Sequence, residues 1–542
     1  MGFTRYFISF VAALIVYWML IKKERVKKWY TCFLAVIFII FTVFLLDFSA
    51  TTFYEGEHQG AMVALLLFGL ADLVIFALWK FSPNFAEKVR KDVGVNKNQN
   101  DKIPEMSRRD FLKNTGAVAA GVGLAALPIA LINSDYLTVN SIDDLYDIPA
   151  DLQRYDQKMD ARTARRWNNE LSSEFNGAIT EAFRSMPPVA QPDIATLASG
   201  IVSFAFGSDL GYRAGNDGLY SWFPLGSRIP PFPAHVLPNS PWQASPEEAT
   251  RRIKRYARDV GALDVGVSML DKRWVYSRWS HRSGVLSNVQ EGDILFEDVP
   301  RPEIWPDGTR VIPESMKYCV VLLHEMPYDM IATSPDVIGM GGTFYGYSDM
   351  AFRVAMVAEY IRILGWQAIP SGNGDSLSIP EAINAGLGQL GRSNLLIHPK
   401  YGPRVRITNI YTDLPLSPDK PIDFGVTKFC ESCMKCADEC PGEAIPHGPM
   451  TTIGHGFISF EGVKKWYSDG RKCSHFWARQ GGLACSNCIR TCAYNKPPGY
   501  WTHDPFGVKL APILGGRLLS TIDNWMGYGE KLGQSEFWNR KI

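Results

Sequence analysis

Net charge is almost absent from this 542-residue chain: 56 Lys and Arg stand against 55 Asp and Glu, giving +1. No overall field draws such a chain to nucleic acid or to an acidic partner. Cysteine is scarce outside one stretch. Of ten in all, Cys32 lies in an apolar run, Cys319 lies in the β-like run 318–323, and the other eight crowd into residues 430–492. Lys and Arg are missing altogether from 47–59. Histidine is missing from the three apolar runs that open the chain, 6–21, 29–46 and 60–79, which leaves no haem-ligating histidine there.

Each of those runs is about 16–20 residues, close to what a ~30 Å hydrocarbon core requires. The first connection, Lys22-Lys23-Glu24-Arg25-Val26-Lys27-Lys28, is strongly basic, whereas 47–59 is not. The positive-inside rule therefore puts the first loop in the cytoplasm and the second outside, and the third span returns the chain to the cytoplasm. Asp72 inside the third span is costly to bury and is a functional candidate for that reason. Glu55 and Glu57 in the outer loop join it as candidate proton acceptors beside a quinol. A polar, Lys-rich linker follows. It leads to Ser107-Arg108-Arg109-Asp110-Phe111-Leu112-Lys113 and an apolar run, 115–132. This matches the twin-arginine export pattern at every position, so the chain after about residue 134 belongs on the outer, periplasmic face of the inner membrane. No small-x-small cleavage site follows, and the segment is expected to remain as a fourth span.

The crowded cysteines fall into two motifs. Cys430-x2-Cys433-x2-Cys436-x3-Cys440-Pro441 is the bacterial cluster run without departure. The second is looser: Cys473, then Cys485-x2-Cys488-x3-Cys492. Disulfides and zinc are the competing readings. Two- and three-residue gaps disfavour the first, and zinc needs only four of the eight thiolates. Two [4Fe–4S] clusters use all eight. By the crossing rule one takes Cys430, Cys433, Cys436 and Cys492, and the other Cys473, Cys485, Cys488 and Cys440. Such a pair carries electrons, so the chemistry lies elsewhere.

Upstream lies a long mixed region in which strand-like runs such as 318–323 alternate with helical stretches such as 347–364. It contains Gly365-Trp-Gln-Ala-Ile-Pro370-Ser-Gly-Asn373, Asn384-Ala-Gly386-Leu-Gly388-Gln-Leu-Gly391-Arg392, Pro403-Arg404-Val-Arg406 and Thr412-Asp413-Leu-Pro415-Leu416. With the cysteine motifs and the export signal, these segments resemble the catalytic subunit of corrinoid- and iron–sulfur-dependent reductive dehalogenases over roughly 107–500. The first 80 residues resemble the three-span membrane-anchor protein of the same systems, here fused to the catalyst.

The resemblance implies an α+β / α/β architecture: a nitroreductase-like corrinoid-binding core plus a bacterial two-[4Fe–4S] ferredoxin-like domain, preceded by transmembrane helices. The expected domains are a three-helix anchor (1–80), a cytoplasmic linker (81–106), the signal or fourth span (107–133), the corrinoid-binding catalytic domain (134–415), the ferredoxin-like domain (416–500) and a C-terminal extension packing on the catalytic domain (501–542). The implied cofactors are the two clusters and a base-off corrinoid (cobalamin). The chain lacks the D-x-H-x-x-G lower-ligand motif, in keeping with base-off binding. The implied partners are a halogenated organic substrate, membrane lipid, a quinol or other membrane electron donor, and the twin-arginine machinery, with no nucleic acid.

Family catalysis uses a tyrosine proton donor with a basic residue and an asparagine, and the matching positions are Tyr347, Arg406 and Asn373. Replacing carbon–halogen by carbon–hydrogen needs two electrons and one proton. A phenol can give that proton if a fixed cation stabilises its anion, because its free pKa of ~10 is otherwise too high. Tyr345 competes with Tyr347, and Arg404 with Arg406. Two other functions compete with the dehalogenase: an epoxyqueuosine-reductase-like corrinoid enzyme, and a membrane electron-transfer iron–sulfur protein without a substrate.

Overall fold

The computed structural model describes residues 136–540 except 165–166, 186–188, 190, 201–218, 225–239, 283–288, 481–483 and 498–504. The three apolar runs, Glu55, Glu57, Asp72 and the twin-arginine segment lie outside the described residues. Among the described residues, no helix is long and apolar enough to cross a membrane. The chain divides into two compact units, Met1–Ser134 and Asp135–Ile542. Everything below concerns the second.

Its centre is a four-stranded sheet of β1 (Asp264–Met269), β2 (Tyr318–Glu325), β3 (Ala368–Ser371) and β4 (Val405–Thr412), in the order β1-β2-β4-β3 with every neighbour antiparallel. Alternation along the strands sends Val320, Leu322 and Ile410 to one core, and Cys319, Val321, Leu323 and Tyr411 to another. Both faces are covered, which is why β2 reads as an unbroken apolar run instead of an alternating one. Helices α1 (Pro246–Asp259) and α2 (Val337–Ile363) cover the first face, and α3 (Ser378–Asn384) covers the second. The start of α1 follows from its sequence. Ser245 caps it by accepting from Glu248 N at 3.2 Å, Pro246 occupies the first turn, and Glu247 and Glu248 face the positive end of the helix dipole. A second sheet, Arg278–Arg282, Val289–Glu297, Arg310–Pro313 and Glu303–Ile304, lies in chain order between β1 and β2.

The 27-residue α2 starts at Val337, ten positions before the helical stretch read from the sequence. The reason is Gly339-Met340-Gly341-Gly342, which reads as a loop by propensity. Here the missing side chains let the helix approach its neighbours. A Cβ on Gly342 would come within 2.8 Å of Met330, and one on Gly341 within 2.9 Å of the Thr196 carbonyl. Tyr347 therefore sits in the body of a long helix held from its first turns, not at a frayed start.

The cysteine region packs on the same unit through α4 (Val426–Ser432), which carries Cys430, and α5 (Asn487–Arg490), which carries Cys488. Two C-terminal helices, α6 (Pro505–Leu514) and α7 (Gly516–Trp525), lie against α4. The rest of the C-terminal extension returns to the catalytic elements, with Leu532 N donating to Ala332 O at 2.9 Å and Arg540 paired to Asp329 at 2.5 Å.

Candidate active site

Three elements converge on the candidate centre. From the sheet, the start of β4 carries Arg406. From the helix layer, α2 carries Tyr347. The Arg406 guanidinium carbon lies 4.0 Å from the centroid of the Tyr347 ring. Both residues are half-buried. The approach is close because residue 346 is glycine: a Cβ there would meet Met326 at 2.9 Å and the Arg406 side chain at 3.1 Å. Arg406 Nε is buried and finds no hydrogen-bond partner. A cation over a ring face gains from the ring quadrupole and needs no anion to hold it.

The third predicted residue, Asn373, lies on the loop that follows β3. Its backbone carbonyl accepts from Gln157 Nε2 at 3.2 Å, and the residue is exposed. Ser371 pairs with Asn409, and β3 runs antiparallel to β4, so the chain leaves β3 toward the end of β4 where Arg406 stands. Tyr347 and Arg406 are in contact. Asn373 shares their end of the sheet.

The structure also separates the competing residues. Arg404 is fully buried and spends its guanidinium on neighbours: the carboxylate of Glu325, Met326 O at 2.7 Å and Asn495 Oδ1 at 3.0 Å. It ties the end of β2 to the cysteine region. Tyr345, two residues before Tyr347 and so on another face of the helix, is 45% exposed.

Sequence reasoning passed over His324. In register it stands opposite Arg406. Its ring is fully buried, with Nε2 2.8 Å from Thr408 Oγ1 and Nδ1 3.5 Å from Asp349 Oδ2. Asp349, one half-turn beyond Tyr347, also receives Arg353 Nε at 2.6 Å. Burial pushes the His324 pKa below its ordinary value, against the pull of Asp349. This chain of contacts ties α2 to the sheet through a residue two positions beyond Tyr347. A single His at the end of an apolar strand gives no signal of that in sequence.

All nine described cysteines are free thiols. The thiols that bear electrostatically on Cys430 are Cys433 and Cys492, and those that bear on Cys436 are Cys492, Cys430, Cys488 and Cys433. Around Cys488 stand Cys485, Cys473 and Cys440, together with Cys492. Burial first, and these neighbours second, push the thiols above their usual pKa. Among the described residues, no three His, Cys, Asp or Glu side chains stand close enough to grip one ion.

Each group has its own support. Arg392, 2% exposed, directs Nε and Nη2 to Cys430 O at 3.0 and 2.9 Å and Nη1 to Pro446 O at 2.8 Å, and its guanidinium lies 4.5 Å over Trp466. Beside the second group, Ser486 N donates to Ser334 Oγ at 2.8 Å, and the hydroxyls of Thr343 and Ser486 meet at 2.7 Å. Met326, which presses on Gly346, also packs with Ile489 and Cys488.

Comparison with known proteins agrees in three ways. Residues 6–82 match the family model described as a chloroethene reductive dehalogenase membrane anchor protein, and residues 105–125 match the twin-arginine translocation signal. The chain is 32% identical over 483 residues to a tetrachloroethene reductive dehalogenase of Sulfurospirillum multivorans, spanning 81% of this chain and 94% of that one. It is 36% identical over 310 residues to one of Desulfitobacterium hafniense, across 54% of this chain and 56% of the other. Among solved structures, the catabolic reductive dehalogenase NpRdhA in complex with 3-bromo-4-hydroxybenzoic acid superposes with a TM-score of 0.51 at 20% identity, covering 75% of this chain and 50% of that one. An epoxyqueuosine reductase of Lactococcus garvieae matches only 23% of the chain. The chain therefore belongs to the reductive dehalogenases, and it is a membrane-tethered oxidoreductase of that family.

Proposed function

We propose that this protein replaces halogen by hydrogen in a small organohalide, R–X + 2e− + H+ → R–H + X−, with Tyr347 as proton donor and Arg406 as its stabilising cation. The observation that carries this reading is the 4.0 Å contact between the Arg406 guanidinium and the Tyr347 ring. An always-charged guanidinium in a partly dry site favours the phenolate that remains once the proton has gone. Asn373, at the same end of the sheet, orients substrate or phenol through its amide. His324 and Asp349 hold the tyrosine's helix in place.

The fold supports a nitroreductase-like core with a ferredoxin-like cysteine region. The clusters would be held by Cys430, Cys433, Cys436 and Cys492, and by Cys473, Cys485, Cys488 and Cys440. A base-off corrinoid would be lined by Tyr347, Arg406 and Asn373. The unpartnered Arg406 Nε fits a group whose rim offers amide acceptors. When bound, the corrinoid supplies a strongly reducing metal and the clusters deliver its electrons one at a time. Membrane quinol is the proposed source, and the outer face of the inner membrane the proposed site.

The test is anaerobic purification with both cofactors loaded, then chloride release from tetrachloroethene and from a panel of chlorinated and brominated alkenes and aromatics. Stoichiometric halide release with the hydrogenated product supports the reading. Full cofactor loading with no halide from any compound contradicts it.

A further inference from the structure

The loop 372–377, which joins β3 to α3 and carries Asn373, is tied down along its length. The carbonyl of Gly372 accepts from Ser371 Oγ at 3.4 Å and from Ser378 Oγ at 3.3 Å. That of Asn373 accepts from Gln157, whose own Oε1 accepts from Ser280 N at 2.8 Å. Asp375 O accepts from Tyr276 N at 2.9 Å, Ser376 Oγ accepts from Asn409 Nδ2 at 3.1 Å, and Leu377 N donates to Trp274 O at 2.9 Å. Ser371, Gly372, Gly374, Asp375 and Ser376 are all buried, whereas Asn373 among them is exposed. The loop is built to hold one residue out.

Its anchor comes from the second sheet. Arg310, at the start of strand Arg310–Pro313, pairs with Asp375 at 2.5 Å, and the two residues are 5% and 4% exposed. The Arg310 guanidinium carbon lies 3.9 Å from the centroid of the Trp279 ring and 5.5 Å from that of Trp222. Trp279 is fixed in turn. It is buried, its Nε1 donates to Gly308 O at 2.8 Å, and a Cβ on Gly292 would come within 2.2 Å of that same oxygen. Stability gives little reason for such a pair, because two charges taken out of water together gain little over apolar residues of the same volume. What a guanidinium–carboxylate pair does supply is one defined geometry.

We propose that Arg310 and Asp375 are positioning residues, which fix the 372–377 loop so that Asn373 forms a rigid wall against the substrate and sets which organohalides are accepted. The second sheet is then the mount of a specificity element. A wall that shifts by a fraction of an ångström no longer distinguishes substrates that differ by one substituent, although the proton donor and its cation on the other elements are untouched. The proposal rests on the role given to Asn373 above, and adds the residues that hold it there.

The test measures kcat/KM for tetrachloroethene and for trichloroethene with the cofactor-loaded full chain, in the parent, Asp375→Asn, Asn373→Ala and the double variant. The ratio of the two constants is the readout, because a general loss of folded or loaded enzyme lowers both alike. Asp375→Asn leaves Arg310 an oxygen to meet and removes the charge that fixes it. The ratio should shift by about tenfold in Asp375→Asn, in the same direction as in Asn373→Ala, and the double variant should shift it no further. A parental ratio in Asp375→Asn beside a shifted one in Asn373→Ala, or shifts that multiply in the double variant, would overturn the proposal and leave the role of Asn373 standing. A parental ratio in Asn373→Ala would instead remove that role, and the proposal with it. Should Asp375→Asn fail to fold, Gln157→Met releases the Asn373 carbonyl while the ion pair stays. It too should shift the ratio, and a parental ratio there would overturn the proposal.

Discussion

Arg404 and Arg406 stand two residues apart, and truncating each to Met should have opposite consequences. Arg404 is fully buried and donates to three acceptors. The side chain of Glu325 is 36% exposed, so water can replace the lost guanidinium there. Met326 O and Asn495 Oδ1 lack that recourse, and a buried acceptor left without its donor costs about 1–3 kcal/mol. Two such acceptors make Arg404→Met a loss of about 2–6 kcal/mol, a large share of the ~5–15 kcal/mol that holds a protein folded. Arg406 has a buried Nε with no partner and a ring contact of the kind worth about 0.5–2 kcal/mol. Arg406→Met should therefore melt within a few degrees of the parent and yet lose turnover by two or more orders of magnitude, on the order of what a positioned acid–base group contributes. Urea titration of the cofactor-loaded proteins, followed by halide-release rates, separates the two. Arg404→Met protein that unfolds within about 1 kcal/mol of the parent, or Arg406→Met protein that is the less stable of the pair, would refute this division of roles.

Two further expectations concern the cysteines and the buried histidine. Cys440→Ser should deplete the cluster that includes Cys473, Cys485 and Cys488, and Cys492→Ser the other, each removing roughly half the iron. Electron paramagnetic resonance of the reduced proteins should lose different signals in the two variants, and loss of the same signal would refute the crossed assignment. Burial depresses the pKa of His324, so below the unfolded value of about 6.5 the unfolded chain binds a proton that the folded one refuses. Stability then falls with pH by up to about 1.4 kcal/mol per unit on this account. His324→Gln should flatten the limb below about pH 6.5 in thermal melts, and an unchanged slope would absolve the histidine.

What the sequence disclosed was local. Cluster spacing needs only residues a few positions apart, so the expectation for Cys430 to Cys440 rests on the sequence motif alone. The twin-arginine pattern and the apolar runs are equally local, and family models match both. Choices between near neighbours were not legible. Arg404 and Arg406 lie toward the same side by strand alternation. One meets Glu325 and Asn495 and the other Tyr347, partners that the chain alone does not bring together. Tyr345 and Tyr347 differ only in helical phase, and Gly339-Met340-Gly341-Gly342 hid the helix that sets that phase. His324 looked like the end of a strand until its register with β4 placed it opposite Arg406.

The central claim is that the Tyr347 phenol gives the proton that replaces the halide. Its most direct test is single-turnover reduction of an organohalide by Tyr347→Phe protein with corrinoid and both clusters verified by iron and cobalt content. The variant should bind substrate and accept electrons as the parent does, while product formation falls by about a hundredfold or more and loses the solvent deuterium effect seen in the parent. Product formed at the parental rate, with the deuterium effect intact, would contradict the account and pass the proton to another donor.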